Sequence, residues 1–281
     1  PDRSGEITRC FQRRFAGAPT HWCRAPGRVD LMGSHTDYNL GRVLTLPIDR
    51  DTWIAARPRT DGVVRIWSES LGAESAFRLD VIAADADQRW SNYVRGVAKV
   101  LQAEGFTLTG FDGVIHSTVP IGSGLSSSAA LECATATTFE ALDGWKLDTA
   151  RKALLCRRAE NQFAGVNCGI LDQYTSCVGQ EGCALWLDCR DLSSRPVKLA
   201  EGIQVVICDT KSKRELAASE YGLRRAQCEE GARRLGLRAL REISVQALPR
   251  REQELPAQVA KRCRCIPQEK DRVPEPHAAL T

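Results

Sequence analysis

The chain has 281 residues, 43% hydrophobic and 26% charged, with a formal net charge of +4. That composition is ordinary for a folded globular protein, long enough for one large domain or two smaller ones, and so mild a charge requires no nucleic-acid partner. No signal-peptide pattern opens the sequence and no apolar run approaches the ~20 residues of a membrane span, so a cytoplasmic protein without a membrane partner is expected.

In chain order, residues 43–79 are strand-like, with short β-branched and aromatic runs punctuated by polar and glycine turns. Residues 92–104 carry Val94, Val97, Ala98 and Leu101 on one helical face. A strand is predicted over 111–119, then a glycine- and serine-rich loop, a nearly uncharged buried helix over 129–141, and a further helix over 149–163 ending near Gly165. Strands are predicted at 184–187 and 204–208, and a long charged helix over 212–235. The last twenty or so residues have the charge pattern of a helix but carry Pro267, Pro274 and Pro276, and each interior proline costs a helix about 3 kcal/mol. An irregular or altered tail is expected. Strands and helices mix without regular βαβ alternation, which points to an α+β fold. The twelve cysteines lie mostly in apolar runs without metal-binding spacing, as buried reduced thiols do.

Three segments carry chemistry. Pro120-Ile-Gly-Ser-Gly-Leu-Ser-Ser-Ser-Ala-Ala130 joins a strand to a helix. Its glycines let backbone N–H groups approach a phosphate, and the helix N-terminus adds a favourable dipole. It lacks the Gly-Lys-Ser/Thr ending of a Walker loop, so a capped turn is as good a reading of this feature alone. Gly27-Arg-Val-Asp-Leu-Met-Gly-Ser-His-Thr-Asp-Tyr-Asn39 gathers Arg28, Asp30, His35 and Asp37, a set able to read sugar hydroxyls or merely to satisfy a polar turn. The third segment, residues 160–173, places Glu160 and Asp172 on either side of a glycine-containing turn. One carboxylate could hold a cation and the other a hydroxyl, or the first could be a helix-surface residue and the second an N-cap.

Taken in this order, the three segments resemble the galactokinase branch of the superfamily of galacto-, homoserine, mevalonate and phosphomevalonate kinases (GHMP kinases). The resemblance runs from about Cys23 to about Arg241. It implies a two-domain fold, with a ribosomal-protein-S5-domain-2-like N-terminal domain over 1–197 and a partial ferredoxin-like domain over 198–281. It implies phosphorylation of a hexose, galactose at its anomeric hydroxyl, by ATP with Mg²⁺, in a monomer whose partners are sugar and ATP. Asp172 would be the catalytic carboxylate and Arg28 would lie near the transferring phosphate. Ser34, His35, Asp37, Gly169 and Tyr221 would face the sugar. Gly122, Ser123, Gly124, Leu125, Ser126, Ser127 and Ser128 would wrap the phosphates, Trp90 would pack on the adenine, and Ser128 with Glu160 would hold Mg²⁺.

Two positions depart from the family's first signature: Asp30 stands where Asn is usual, and Ser34 where a sugar-holding Glu is usual. Ser34 leaves a related sugar such as N-acetylgalactosamine as the alternative acceptor. The resemblance also leaves a catalytically weak ATP- and sugar-binding protein as the alternative function, because some galactokinase relatives act as regulators. The family's late loop, Gly-x-Gly-Phe-Gly-Gly in outline, is not found in these residues. A C-terminally incomplete chain, and a poor catalyst without that loop, is therefore expected. Arg-rich stretches in the last third alternate with glutamates, as on a solvated helix rather than a nucleic-acid surface.

Overall fold

A computed structural model describes residues 3–209 and 215–273. The chain forms two compact units, each drawn from separate stretches of sequence. The first comprises Pro1–Gly27, Ile48–Asn167 and Asp172–Cys177; the second comprises Arg28–Pro47, Cys168–Leu171 and Val178–Thr281. Among the described residues, no helix is long and apolar enough to cross a membrane.

Strands β1 (His21–Met32) and β2 (Arg42–Arg59) give residues to both units. In the first unit the later part of β2 pairs antiparallel with β5 (Gly110–Ser117), from Thr52 opposite Ser117 to Arg59 opposite Gly110. β5 in turn runs parallel to β3 (Val63–Ser68), whose antiparallel neighbour is β4 (Ala73–Arg78). Side chains alternate across this sheet as the pleat requires. Ala55 and Val114 pack with Ile7, Cys10 and Phe11 of α1 (Arg3–Arg14). Ile54, Ala56, Ile115 and Phe111 pack with α2 (Asn92–Ala103), α3 (Ser127–Asp143) and α4 (Thr149–Ala159). Asp148 caps α4 by accepting from the N–H groups of Ala150 and Arg151. Helix α4 runs into a π turn, Glu160–Ala164, which stops at Gly165 in the left-handed region, and α5 (Leu171–Val178) follows.

In the second unit the first residues of β2 pair antiparallel with β6 (Cys183–Asp188), which pairs with β7 (Ser194–Lys198). Helix α6 (Glu215–Arg234), the short α7 (Leu248–Arg251) and α8 (Ala257–Arg272) share a core in which Cys228, Leu240 and Cys263 are buried. The α+β architecture expected from the sequence is present.

Two expectations fail. Residues 204–208 form no strand, and Val206 is 81% exposed. An apolar β-branched run becomes a strand only when neighbours take its N–H and C=O groups, and no strand pairs with it among the described residues. Pro267 does not break the tail; it lies buried inside α8, beside Cys263 and Ile266. Val259, Ala260, Cys263 and Ile266 are buried with it, so the proline lies on the packed face of the helix. Residues 212–214 of the predicted long helix, and Pro274 and Pro276, lie outside the described residues.

Candidate active site

In the first unit the candidate phosphate loop, from β5 to α3, turns through three left-handed residues. Gly122 (φ 75°) and Gly124 (φ 85°) are left-handed, and so is Ser126 (φ 59°), where a side chain makes that conformation costly. Ser126 directly precedes α3 but does not cap it; its Oγ is buried without a hydrogen-bond partner among the described residues. Ser123 Oγ donates to the Pro120 carbonyl at 2.8 Å, while Ser127 and Ser128 occupy the first turn of α3, half-buried. Gly27, the residue before Arg28, supports this loop closely: a Cβ there would lie 2.6 Å from the Leu125 carbonyl oxygen. Trp90 is half-buried against the core and donates Nε1–H to Gln88 Oε1 at 2.8 Å.

The carboxylates of this unit form a second feature. Glu160 opens the π turn and is 3% exposed, and Asp172 is half-buried in the first turn of α5. Beside them stand two residues that sequence reasoning missed, Glu132 of α3 and Gln173 of α5, both fully buried. Gln173 Nε2 donates to Glu132 Oε2 at 2.9 Å and to Glu160 Oε2 at 2.5 Å. Burial, reinforced by Glu160, pushes the Glu132 carboxyl well above the usual carboxylate range. The available signal is that Glu132 is the first charge in a helix of mostly small and apolar residues.

The same donors test a magnesium site. Among the described residues no three His, Cys, Asp or Glu side chains converge as a protein-only cage. Mg²⁺ commonly takes one or two carboxylates and completes its shell with phosphates and water. Glu160, Ser128 and the buried Ser126 Oγ are hard oxygen donors that fit such a role.

In the second unit Arg28 and Asp30 lie half-buried on β1, not in a turn; the turn begins at Gly33 (φ 97°). Glu269 Oε1 accepts from Gly33 N at 2.8 Å, and Asn39 Nδ2 donates to the His35 carbonyl at 2.9 Å. The turn holds His35 at φ 67°, a strained conformation that turns its ring toward two tyrosines. The Tyr38 hydroxyl lies 2.9 Å from His35 Nδ1, and the Tyr221 ring centroid lies 5.4 Å from that of His35. Burial lowers the His35 pKa, with Arg224 and Arg262 acting in the same direction, so the ring is neutral at physiological pH. Asp37 is 8% exposed, and Gly169 meets it so closely that a Cβ would lie 1.7 Å from Oδ2. Arg225 of α6 ties down the same segment by donating to the Cys168 carbonyl at 3.0 Å.

This unit thus joins His35 to Tyr221 and Asp37 to Gly169. Ser34 is exposed and donates its hydroxyl to Asp30 Oδ2 at 2.7 Å, so the two unusual residues of the signature are paired with each other. A cavity of about 410 Å³ is lined by Arg42, Arg241, Lys270, Asp271 and Val273 and contains none of the candidate residues. Its cations are already engaged: Arg241 with both oxygens of Asp188, Lys270 with the carbonyls of Arg241 and Ile243.

Comparison with known proteins adds identity to this geometry. Residues 9–58 match the galactokinase galactose-binding signature, and residues 92–180 match the GHMP kinases N terminal domain. The galactokinase of Chloroflexus aggregans is 46% identical over 271 residues, covering 95% of this chain and 70% of that one. The galactokinase of Roseiflexus sp. strain RS-1 is 45% identical over 282 residues, covering 99% and 72%. The crystal structure of Lactococcus lactis galactokinase complexed with galactose superposes with a TM-score of 0.84 at 29% identity, covering 96% and 72%. With 46% identity sustained along nearly its whole length, and both sequence signatures in place, the chain belongs to the galactokinase family of GHMP sugar kinases.

Proposed function

We propose that the protein transfers the γ-phosphoryl group of ATP to the anomeric hydroxyl of galactose, giving galactose 1-phosphate and ADP. The observation that carries the sugar assignment is the close seat of Gly169 against the buried Asp37 carboxylate, inside the turn that matches the galactose-binding signature. A buried carboxylate and a neutral, tyrosine-flanked imidazole are directional partners for hydroxyl groups. Asp37, His35 and Tyr221 fix the sugar in this reading, with Ser34 at its exposed rim.

Asp172 accepts or orients the proton of the attacking hydroxyl, and Arg28 offsets charge on the transferring group. The loop from Gly122 through Ser128 supplies N–H groups to the phosphates, with Trp90 against the adenine. Ser128 and Glu160 would hold Mg²⁺, whose charge would neutralise that of the phosphates. Phosphoryl transfer asks little covalent help of a protein, so positioning and charge placement carry most of the rate.

A coupled ADP-release screen over galactose, galactosamine derivatives, arabinose and mevalonate tests this reading. Galactose is expected to give the highest kcat/KM. The pairing of Ser34 with Asp30 gives N-acetylgalactosamine a place as the second candidate, and a higher kcat/KM for that sugar would redirect the assignment.

A further inference from the structure

Glu132 and Gln173 have no part in the mechanism above, yet they are among the most buried polar side chains of the first unit. Gln173 lies next to Asp172 in α5, Glu132 lies on α3, and Glu160 opens the π turn after α4, so three elements converge on one amide group. An amide nitrogen carries two protons, enough to serve the carboxyl oxygens of both Glu132 and Glu160, which lie at 2.9 and 2.5 Å. All three side chains are at most 3% exposed, so no bulk water competes for these bonds. Two buried carboxyl groups this near one another need a donor between them, and a donor that serves both also limits how each can rotate. The backbone of Gln173 is held as well, since Cys133 Sγ donates to its carbonyl at 3.7 Å.

We infer that Gln173, braced by Glu132, is a positioning residue that holds the Glu160 carboxylate in the orientation that binds the divalent cation. The inference rests on the reading of Glu160 as a cation-holding residue. A core network of purely structural purpose would affect melting and leave cation affinity unchanged.

The test is a Mn²⁺ titration followed by electron paramagnetic resonance, on the 281-residue chain saturated with a non-hydrolysable ATP analogue, with folding checked by thermal melting. Gln173→Met keeps the length and removes both protons; it is expected to weaken Mn²⁺ by about 10- to 100-fold, the usual cost of losing a residue that orients a metal ligand. Glu132→Gln keeps a carbonyl oxygen for Gln173 and should remain within about 2-fold of wild type, whereas Glu132→Met should lose at least about 3-fold. If folded Gln173→Met binds Mn²⁺ like wild type while Glu160→Gln does not, the inference falls and the reading of Glu160 stands. If Glu160→Gln also binds like wild type, both fall together. Should Gln173→Met not fold, the Glu132 pair decides, and equal affinity in Glu132→Met and wild type overturns the inference.

Discussion

At the scale of single residues, the proposed sugar contacts depend on close approaches that one substitution can test. Gly169→Ala would drive a methyl group into the Asp37 carboxylate, since the ideal Cβ position is 1.7 Å from Oδ2. Asp37 must then move, and galactose affinity by calorimetry is expected to fall by roughly 10-fold or more, the worth of one charge-assisted hydrogen bond. Affinity equal to wild type would detach Asp37 from the sugar. Asp30 and Ser34 make a second test, because Ser34→Glu alone would set a new carboxylate beside Asp30. The double variant Asp30→Asn/Ser34→Glu removes that repulsion and is expected to tighten galactose by roughly 10- to 100-fold; the single variant should gain much less. No gain in the double variant would mean that position 34 faces away from the sugar. The motif residues were legible because their spacing is local. Glu132 and Gln173 were not, because their meaning lies in contacts between three helical segments far apart in sequence.

At the scale of elements, Asp112 holds the middle of the first unit's sheet. It lies on β5, directly opposite Arg57 of β2 and Arg65 of β3, and it accepts from Arg57, Arg59 and Arg65 at 2.9, 2.8 and 3.0 Å. Burial alone would raise its pKa, but the three guanidinium groups outweigh that and hold it below the ordinary 3.8. Its contribution to stability is therefore complete above that value and drains away as pH falls beneath it. Asp112→Asn is expected to cost about 3 kcal/mol at neutral pH and to flatten the acid limb of stability, read from urea midpoints between about pH 7 and 2. An unchanged acid limb would show that Asp112 does not govern it. Helix α2 is readable from its apolar spacing and α3 from its near absence of charge. Helix α1 escapes a reading by apolar runs although Ile7, Cys10 and Phe11 recur at helical intervals, because arginines dilute them. Residues 204–208 misled for the opposite reason: the apolar run was real, but a strand is a property of pairs.

At the scale of the whole molecule, long-range pairing groups residues 28–47 and 168–171 with the C-terminal part of the chain. No local pattern announces that grouping, so the sequence motifs carried the function further than they carried the architecture. The proposed reaction of this galactokinase-family chain is phosphorylation of the anomeric hydroxyl of galactose, with Asp172 as the acting carboxylate. The most direct test follows the products by ³¹P nuclear magnetic resonance, with ATP, Mg²⁺ and galactose, for the wild-type chain and Asp172→Asn side by side. Expected is a sugar-phosphate signal coupled to the anomeric proton, growing with ADP, and at least about 10²-fold slower in Asp172→Asn with ATP affinity nearly unchanged. Phosphate on another hydroxyl, ADP formed without sugar phosphate, or equal rates in the two proteins would contradict it.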